Sequence, residues 1–142
     1  MKLKKSPLAP EKFPSLPYVK GLKIGTSKSN IRYKNRQDIL TVTFDNLASV
    51  AGVFTLSQIP AAPVNFCKKN LINGYAKGLV VNAGIANSFT GKKGINNNRK
   101  IANYFSKLIN ARQKDVFVCS TGVIGEQLPL LKTRRAIKSS YW

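Results

Sequence analysis

The sequence predicts a mixed α/β (α+β) fold built as one domain, and three observations favour it. Short runs rich in β-branched and aromatic residues alternate with segments whose apolar residues recur at helical spacing. The 142 residues, 43% of them hydrophobic, are enough to bury one core and give no strong case for two. No apolar run approaches the length of a membrane span, so we expect no membrane-spanning segment.

Residues 1–20 are expected to form an extended, proline-rich arm, because four prolines in this stretch disfavour a helix. The arm also contains apolar side chains that could anchor it on the domain formed by residues 21–142: Leu8, Phe13, Leu16 and Tyr18. We therefore expect the arm to pack on that single domain.

The next segment predicts short strands. Strand-like pieces surround Ile24 and residues 31–33, and residues 38–44 alternate between apolar and polar positions as a strand does. Residues 45–46, an Asp-Asn pair, supply a turn. This spacing indicates a hairpin or a meander.

Residues 50–56 read as the following strand, and the small residue Gly52 indicates that another segment packs close to this backbone. Pro63 suits the first turn of a helix, which the Asn-Gly pair at residues 73–74 would end. Residues 78–82 are apolar and predict a buried strand. The apolar face of the intervening helix would contain Val64, Cys67, Leu71 and Ile72.

The glycine-rich loop at residues 83–94 raises the question of phosphate binding. It does not match a P-loop, because the spacing is wrong and Lys93 occupies the position where Ser or Thr must hold magnesium. We instead expect side-chain hydrogen bonds to tie this turn together through Asn82, Asn87 and Thr90.

Two further helices are predicted. Residues 96–110 place Ile101, Phe105 and Leu108 on one face. The basic remainder of this helix could bind nucleic acid, but the aromatic residues needed for base stacking are absent, so a solvated face is the better interpretation. Pro129 can begin a last helix, whose apolar residues are Leu130, Leu131 and Ile137.

The stretch of residues 116–125 predicts a buried strand that ends in Ser120-Thr121-Gly122. Glycine at 122 and 125 permits a left-handed backbone or a close approach to a ligand. Hydroxyl and amide donors at one spot are the equipment of an oxyanion hole, which stabilises negative charge on a carbonyl oxygen. Taken alone, the stretch favours an ordinary strand-to-loop turn over an oxyanion hole, because short motifs are weak signals.

The net charge, the absence of histidine and the two cysteines restrict the partners and reactions that are possible for this chain. Twenty-four Lys and Arg against five Asp and Glu give a net charge of +19, so nucleic acid, an anionic membrane and acidic small molecules are all possible partners. A solvated basic surface is the alternative. The absence of histidine excludes Ser-His-Asp and Cys-His catalysis within this chain. Cys67 and Cys119 form no metal-binding pattern, and two free buried thiols would suit a reducing cytoplasm.

Four ordered blocks resemble motifs of the ornithine acetyltransferase family, also called bifunctional glutamate N-acetyltransferase. Together they cover nearly all of residues 6–131 and are far more specific than any one of them. The blocks are residues 6–10 with 13–14 and 21, residues 51–55 with 61–64, residues 81–87 with 90–91 and 94, and residues 119–125 with 128–129.

The resemblance implies an enzyme that moves acetyl from N-acetylornithine, in some members also from acetyl-CoA, to glutamate in arginine biosynthesis. The family precursor cuts itself into two chains, and the N-terminal threonine of the second chain is the nucleophile, with its own amine as base. Thr121 and Gly122 match the family's oxyanion hole. No other cofactor is implied, and the fold would be a layered sandwich of sheets with outer helices.

Departures from the pattern matter. Ala83 and Ile85 replace a usual Ser and Asn, and no position of this chain matches the nucleophilic threonine. We therefore expect the N-terminal part of such an enzyme, inactive alone and partnered by a second chain of the same precursor, in the cytoplasm. The alternative is a small basic nucleic-acid-binding module, motivated by the net charge of +19.

Overall fold

The chain forms a four-stranded sheet with three helices packed against it, in a computed structural model that describes residues 7–12 and 14–141. The prediction of a mixed α/β fold is confirmed. The elements follow the chain in this order: β1 Leu22–Ser27, β2 Ile39–Ser49, α1 Ala62–Leu71, β3 Tyr75–Asn82, α2 Gly91–Leu108, a short 3-10 helix Gln113–Asp115, β4 Val116–Ser120 and α3 Leu130–Tyr141.

The strands lie in the order β1-β2-β3-β4. The first two pairs are antiparallel, whereas β4 runs parallel to β3, since α2 returns the chain to the starting end of the sheet. The carboxyl ends of β3 and β4 therefore lie side by side, which is where open sheets with parallel strands usually bind ligands.

One face of the sheet, here called the covered face, lies under α2 and α3. Ile39, Val80, Val116 and Val118 on this face are at most 2% exposed and meet apolar side chains of the two helices. α3 is also held by polar contacts, because the Ser27 hydroxyl donates to the Ala136 carbonyl oxygen at 2.7 Å. The central residues of this core are Ile39, Val80, Val116, Val118, Ile101, Phe105 and Ile137.

The opposite face, here called the open face, is also apolar. Because successive side chains of a strand alternate between faces, the half-buried positions of β2, β3 and β4 share this side of the sheet. No helix among residues 7–12 and 14–141 lies over it, and no second sheet of these residues completes the expected sandwich. Its members are Leu40, Val42, Phe44, Leu79, Val81 and Phe117.

α1 covers the outer edge of β4. The Cys67 thiol donates to the Val118 carbonyl oxygen at 3.2 Å and accepts from the Val118 amide at 3.3 Å. The Asn70 amide donates to the Val116 carbonyl oxygen at 2.9 Å. These side chains replace the missing neighbouring strand, so the edge is closed to further strand pairing.

Residues 50–56 form no strand, and that prediction is wrong. β2 does not turn at residues 45–46 but continues through a bulge to Ser49, where it still pairs with Tyr75. Residues 50–56 thus pass the end of β3 and have no strand to pair with. Nothing lies within 4 Å of a Cβ placed on Gly52, so the expected close packing there is also absent.

The anchors proposed for the arm remain exposed. Leu8, Leu16 and Tyr18 are 95%, 82% and 85% exposed, so these side chains do not pack the arm on the domain as expected. Phe13, the fourth predicted anchor, lies outside the described residues. The division into an arm at residues 1–20 and a domain at residues 21–142 stays a prediction.

Other boundaries differ from the predictions by a few residues. Residues 31–33 form bends instead of a strand, and α2 begins at Gly91, five residues before its predicted start. Ile72, expected on the buried face of α1, follows the helix and is 88% exposed. None of the helices in the described part of the chain is long and apolar enough to cross a bilayer.

Candidate active site

Two glycine-rich loops meet at the carboxyl ends of β3 and β4. The β3 loop (residues 83–90) and the β4 loop (residues 121–129) continue the parallel pairing of their strands through a bridge between Ile85 and Val123. The Ala86 amide donates to the Val123 carbonyl oxygen at 2.9 Å, and the Val123 amide donates to the Gly84 carbonyl oxygen at 3.1 Å. The two loops are therefore fixed to each other by their backbones.

This junction requires glycine at position 122. The φ angle of Gly122 is +123°, and a Cβ there would overlap the backbone of Gly84 and Ile85. A side chain at this position would separate the loops or distort both of them. The left-handed backbone predicted for Gly122 is thus confirmed, whereas a close approach to a ligand stays a prediction.

Buried amides hold the β3 loop, as predicted from its sequence. The Asn82 side chain donates to the Ile85 carbonyl oxygen at 2.8 Å, and the Asn87 side chain donates to the Gly94 carbonyl oxygen at 2.8 Å. The Thr90 hydroxyl donates to Asn87 Oδ1 at 2.6 Å. Since Asn82, Asn87 and Thr90 are at most 8% exposed, these bonds are protected from water and define the loop shape.

The two consecutive hydroxyls at the end of β4 have different surroundings. Ser120 Oγ donates to the Ile85 carbonyl oxygen at 3.2 Å and accepts from the Asn87 amide at 2.9 Å, so it is a structural link. Thr121 is exposed, and its hydroxyl has only a long 3.5 Å contact with the Asn82 carbonyl oxygen. The Thr121 hydroxyl is therefore free to donate to a ligand.

The Gly122 amide is also available. The amides of Thr121, Val123 and Gly125 all donate to carbonyl oxygens, but within the described part of the chain none accepts from Gly122 N–H. Gly122 is exposed. Two adjacent donors thus lie at the end of a rigid strand: the Thr121 hydroxyl with one long bond and the Gly122 amide with none among the described residues.

A cavity of about 280 Å³ borders Thr121, and the N-terminus of α1 forms part of its wall. α1 has Ala61 as its N-cap, without a side-chain cap, and no acidic residue in its first turn. The positive end of the helix dipole is therefore not neutralised and favours negative charge in this cavity. The lining residues are Phe54, Ala61, Pro63, Val64, Cys67, Val118, Cys119, Ser120 and Thr121.

The two cysteines differ in environment, against the prediction that both are buried. Cys67 is buried, and this burial raises the pKa of its thiol to about 11, with the hydrogen bond from the Val118 backbone opposing the shift. Cys119 is exposed because it follows a covered-face residue on β4 and so points to the open face. The described residues contain no group of three or more His, Cys, Asp or Glu that could hold a metal ion.

Sequence reasoning missed two features of this site. Arg32 reaches the β4 loop from a distant segment and donates to both Glu126 carboxylate oxygens, at 2.8 and 2.9 Å. No local pattern relates these two residues. The second is the N-terminus of α1, whose start was signalled by Pro63 but whose position beside β4 depends on the tertiary contacts of Cys67 and Asn70.

Comparison with known proteins gives the family. The model of the ArgJ family matches residues 23–141, nearly the whole described chain. The chain belongs to the ArgJ family. This confirms the resemblance noted in the sequence, and the comparisons give no support to the nucleic-acid-binding alternative.

Curated relatives of the ArgJ family agree with this assignment. The arginine biosynthesis bifunctional protein ArgJ of Rhizobium meliloti is 49% identical over 127 residues, which are 89% of this chain and 31% of the relative. Its counterpart from Brucella suis is 47% identical over 123 residues, covering 87% of this chain and 30% of the relative. The chain thus spans less than a third of the length of these relatives.

Two solved structures of the family share the fold. ArgJ of Bacillus halodurans superposes with a TM-score of 0.80 at 30% identity, covering 84% of this chain and 62% of that one. The ornithine acetyltransferase of Mycobacterium tuberculosis, solved in complex with ornithine, gives a TM-score of 0.82 at 28% identity, covering 85% of this chain and 66% of that one.

Proposed function

We propose that this chain supplies the oxyanion-binding part of an arginine-biosynthesis acetyltransferase that moves acetyl from N-acetylornithine to glutamate. The observation on which this depends is a pair of adjacent donors at the carboxyl end of β4: the Thr121 hydroxyl, which lines a cavity and has only a long 3.5 Å bond, and the unbonded amide of the next residue, Gly122. Membership of the ArgJ family supports the reaction class.

In the proposed reaction, a threonine hydroxyl from a second chain of the same precursor adds to the acetyl carbonyl carbon. The carbonyl π electrons move to oxygen, and Thr121 Oγ–H and Gly122 N–H donate hydrogen bonds to the resulting anion. The nearby N-terminus of α1 adds a favourable positive potential. The amine of the attacking threonine takes the hydroxyl proton and delivers it to the leaving ornithine nitrogen.

The acetyl group then rests as an ester on the threonine and passes to the glutamate amine through a second tetrahedral anion in the same position. Donors that are fixed before the reaction need no reorganisation as charge develops. The bonds of Ser120 and the backbone bridge between Ile85 and Val123 provide that rigidity. Acetyl-CoA as an alternative donor would use the same two hydrogen bonds.

The open face is where we place the second chain. Its half-buried apolar residues extend across β2, β3 and β4, and an apolar surface of this kind marks an interaction site. The remaining two thirds of the relatives' length offers a partner of suitable size. Such a complex would work in the cytoplasm, where the free thiols of Cys67 and Cys119 would stay reduced.

A hybrid enzyme tests the catalytic role. Residues 23–141 of this chain replace the matching segment of the Rhizobium meliloti relative, and acetyl transfer from N-acetylornithine or acetyl-CoA to glutamate is measured. Thr121→Val, which keeps the side-chain shape but removes the hydroxyl, should lower kcat by about 100- to 1,000-fold. Thr121→Ser, which restores the hydroxyl, should recover most of that loss.

Three results would contradict the proposal: an inactive parent hybrid, unchanged kcat in Thr121→Val, or an equal loss in Thr121→Ser. Transfer only from N-acetylornithine would exclude the use of acetyl-CoA. The 142-residue chain tested alone should show no turnover, because it contains no nucleophile matching the family. Turnover by the isolated chain would overturn the need for a second chain.

A further inference from the structure

A second and larger cavity lies on the other side of α1. It has a volume of about 610 Å³ and is bounded by α1, α2 and the short 3-10 helix. None of its lining residues borders the cavity beside Thr121, so α1 separates the two. Its volume falls within the range of small-molecule sites, roughly 300 to 1,000 Å³.

The lining residue Asn98 has no hydrogen-bond partner for its side chain. It is 1% exposed, and neither Nδ2 nor Oδ1 is bonded within the described part of the chain. Burying a polar group without a partner is unfavourable. Two other polar residues of this wall are bonded, since Asn70 donates to the Val116 carbonyl oxygen and Gln113 donates to the Arg99 carbonyl oxygen. The unbonded side chain of Asn98 retains its two N–H donors and its carbonyl acceptor.

The rim of the cavity is positively charged. Lys69, Arg99 and Lys114 are exposed lining residues, one from each bounding element, and no acidic residue of the described chain lines the cavity. None of the three forms an ion pair with a described carboxylate. Three cations that converge from different elements produce a local potential that favours an anion with several charges.

We propose that this cavity binds a phosphate ester that also carries a sugar hydroxyl. The phosphate meets Lys69, Arg99 and Lys114, and the hydroxyl exchanges hydrogen bonds with the Asn98 amide, which satisfies both of its atoms. Phe66, a half-buried wall residue, provides an apolar surface for the rest of the ligand. The site is independent of the oxyanion hole and of the reaction proposed there.

The test is calorimetric titration of the 142-residue chain at fixed ionic strength with inorganic phosphate, ribose 5-phosphate, ADP and adenosine. Ribose 5-phosphate or ADP should bind more tightly than inorganic phosphate, and adenosine should not bind. Tighter binding of ribose 5-phosphate than of ADP would identify the ligand as a sugar phosphate, and the reverse order would identify it as a nucleotide. Equal affinity for inorganic phosphate and both esters would refute the role of the hydroxyl.

Two matched variants distinguish specific binding in this cavity from non-specific attraction of anions to the basic surface. Arg99→Gln should weaken ribose 5-phosphate binding by about tenfold, whereas Lys138→Gln, which removes the same charge from exposed α3, should leave it unchanged. Equal losses in both would show that the +19 charge alone attracts the anion and would overturn the proposal.

Asn98→Leu tests the amide. It should abolish the preference for ribose 5-phosphate over inorganic phosphate without lowering stability, because an unsatisfied polar group is removed from a buried position. Retained preference in this variant would mean that Asn98 does not contact the ligand. If Asn98→Leu fails to fold, the comparison of Arg99→Gln with Lys138→Gln still distinguishes specific binding in the cavity from non-specific attraction of anions.

Discussion

The two faces of the sheet are built from the same strands yet differ in what protects them. On the covered face, Ile39, Val80 and Val116 are at most 1% exposed under α2 and α3. On the open face, Val42, Leu79 and Phe117 are only half-buried, although they are equally apolar. The helices of this chain therefore bury one face, whereas the other stays half-buried beside residues 50–54.

The largest expected effect is on the covered face. Phe105→Ala removes a side chain that is 0% exposed and should lower the free energy of unfolding by about 3–5 kcal/mol, since it leaves a cavity. Phe117→Ala, the same change on the open face, should cost about 1 kcal/mol or less. Urea denaturation of both variants measures the difference. Equal losses would mean that the open face is buried in the isolated chain.

A smaller effect is expected from filling space on the covered face. A Cβ on Gly78 would come within 2.7 Å of Ile109 Cδ1 and 2.8 Å of Phe105 Cε1. Gly78→Ala should therefore destabilise the chain by about 1–3 kcal/mol through overpacking. Gly52→Ala is the matched control, because nothing lies near its Cβ position. Thermal denaturation should show a lower Tm for the first variant and not for the second.

The open face should be detectable with an apolar dye. The double substitution Val42→Thr and Leu79→Thr lowers the apolar area of that face and should reduce the fluorescence of bound ANS, with a loss of stability of about 1 kcal/mol. Val80→Thr on the covered face should instead increase dye binding, since it loosens the core. A decrease in fluorescence with Val80→Thr as well would show that the dye does not report the open face.

Burial of Cys67 against the outer edge of β4 should make the stability of the chain depend on pH. Because burial raises the pKa of Cys67 to about 11, its folded form keeps the proton over a range where an ordinary thiol loses it. The stability from the Cys67 thiol is complete below about pH 9 and is lost as pH rises toward 11. Cys67→Ala should flatten the decrease in stability over this window, measured by urea denaturation at several pH values. An unchanged slope would contradict the pKa shift.

A thiol reagent gives the corresponding kinetic observation. At pH 8 the exposed Cys119 should react faster than Cys67, although partial burial raises the pKa of its thiol, while Cys67 should react only as fast as the chain opens. Cys119→Ser should remove the fast phase and leave the slow one. A fast phase that persists in Cys119→Ser would show that α1 leaves the edge of β4 frequently.

Helices and strands whose formation depends on neighbouring residues in the sequence could be predicted. The apolar periodicity of α2, the β-branched runs of β3 and β4, and the Pro63 start of α1 each depend on neighbours in sequence. Residues 50–56 have the same strand-like composition, but β2 continues past them along β3, so no strand remains to pair with them. Composition reports a preference for extended backbone and not the presence of a partner.

The candidate site divides in the same way. Thr121 and Gly122 could be singled out because strand, hydroxyl and glycine are contiguous, and their role in an oxyanion hole stays a prediction. The contact of Arg32 with Glu126 and the unpaired side chain of buried Asn98 depend on segments far apart in sequence. Asn98 looks like an ordinary helical residue until the positions of α1 and the 3-10 helix are known.

The packing of α3 against β1 joins segments that are synthesised at different times. The hydroxyl of Ser27 can donate to the Ala136 carbonyl oxygen only after the ribosome has added another 109 residues. During translation, β1 and β2 emerge before α3, so their covered-face apolar side chains stay exposed until α3 has been synthesised. A nascent chain of this design should therefore bind holding chaperones until α3 emerges.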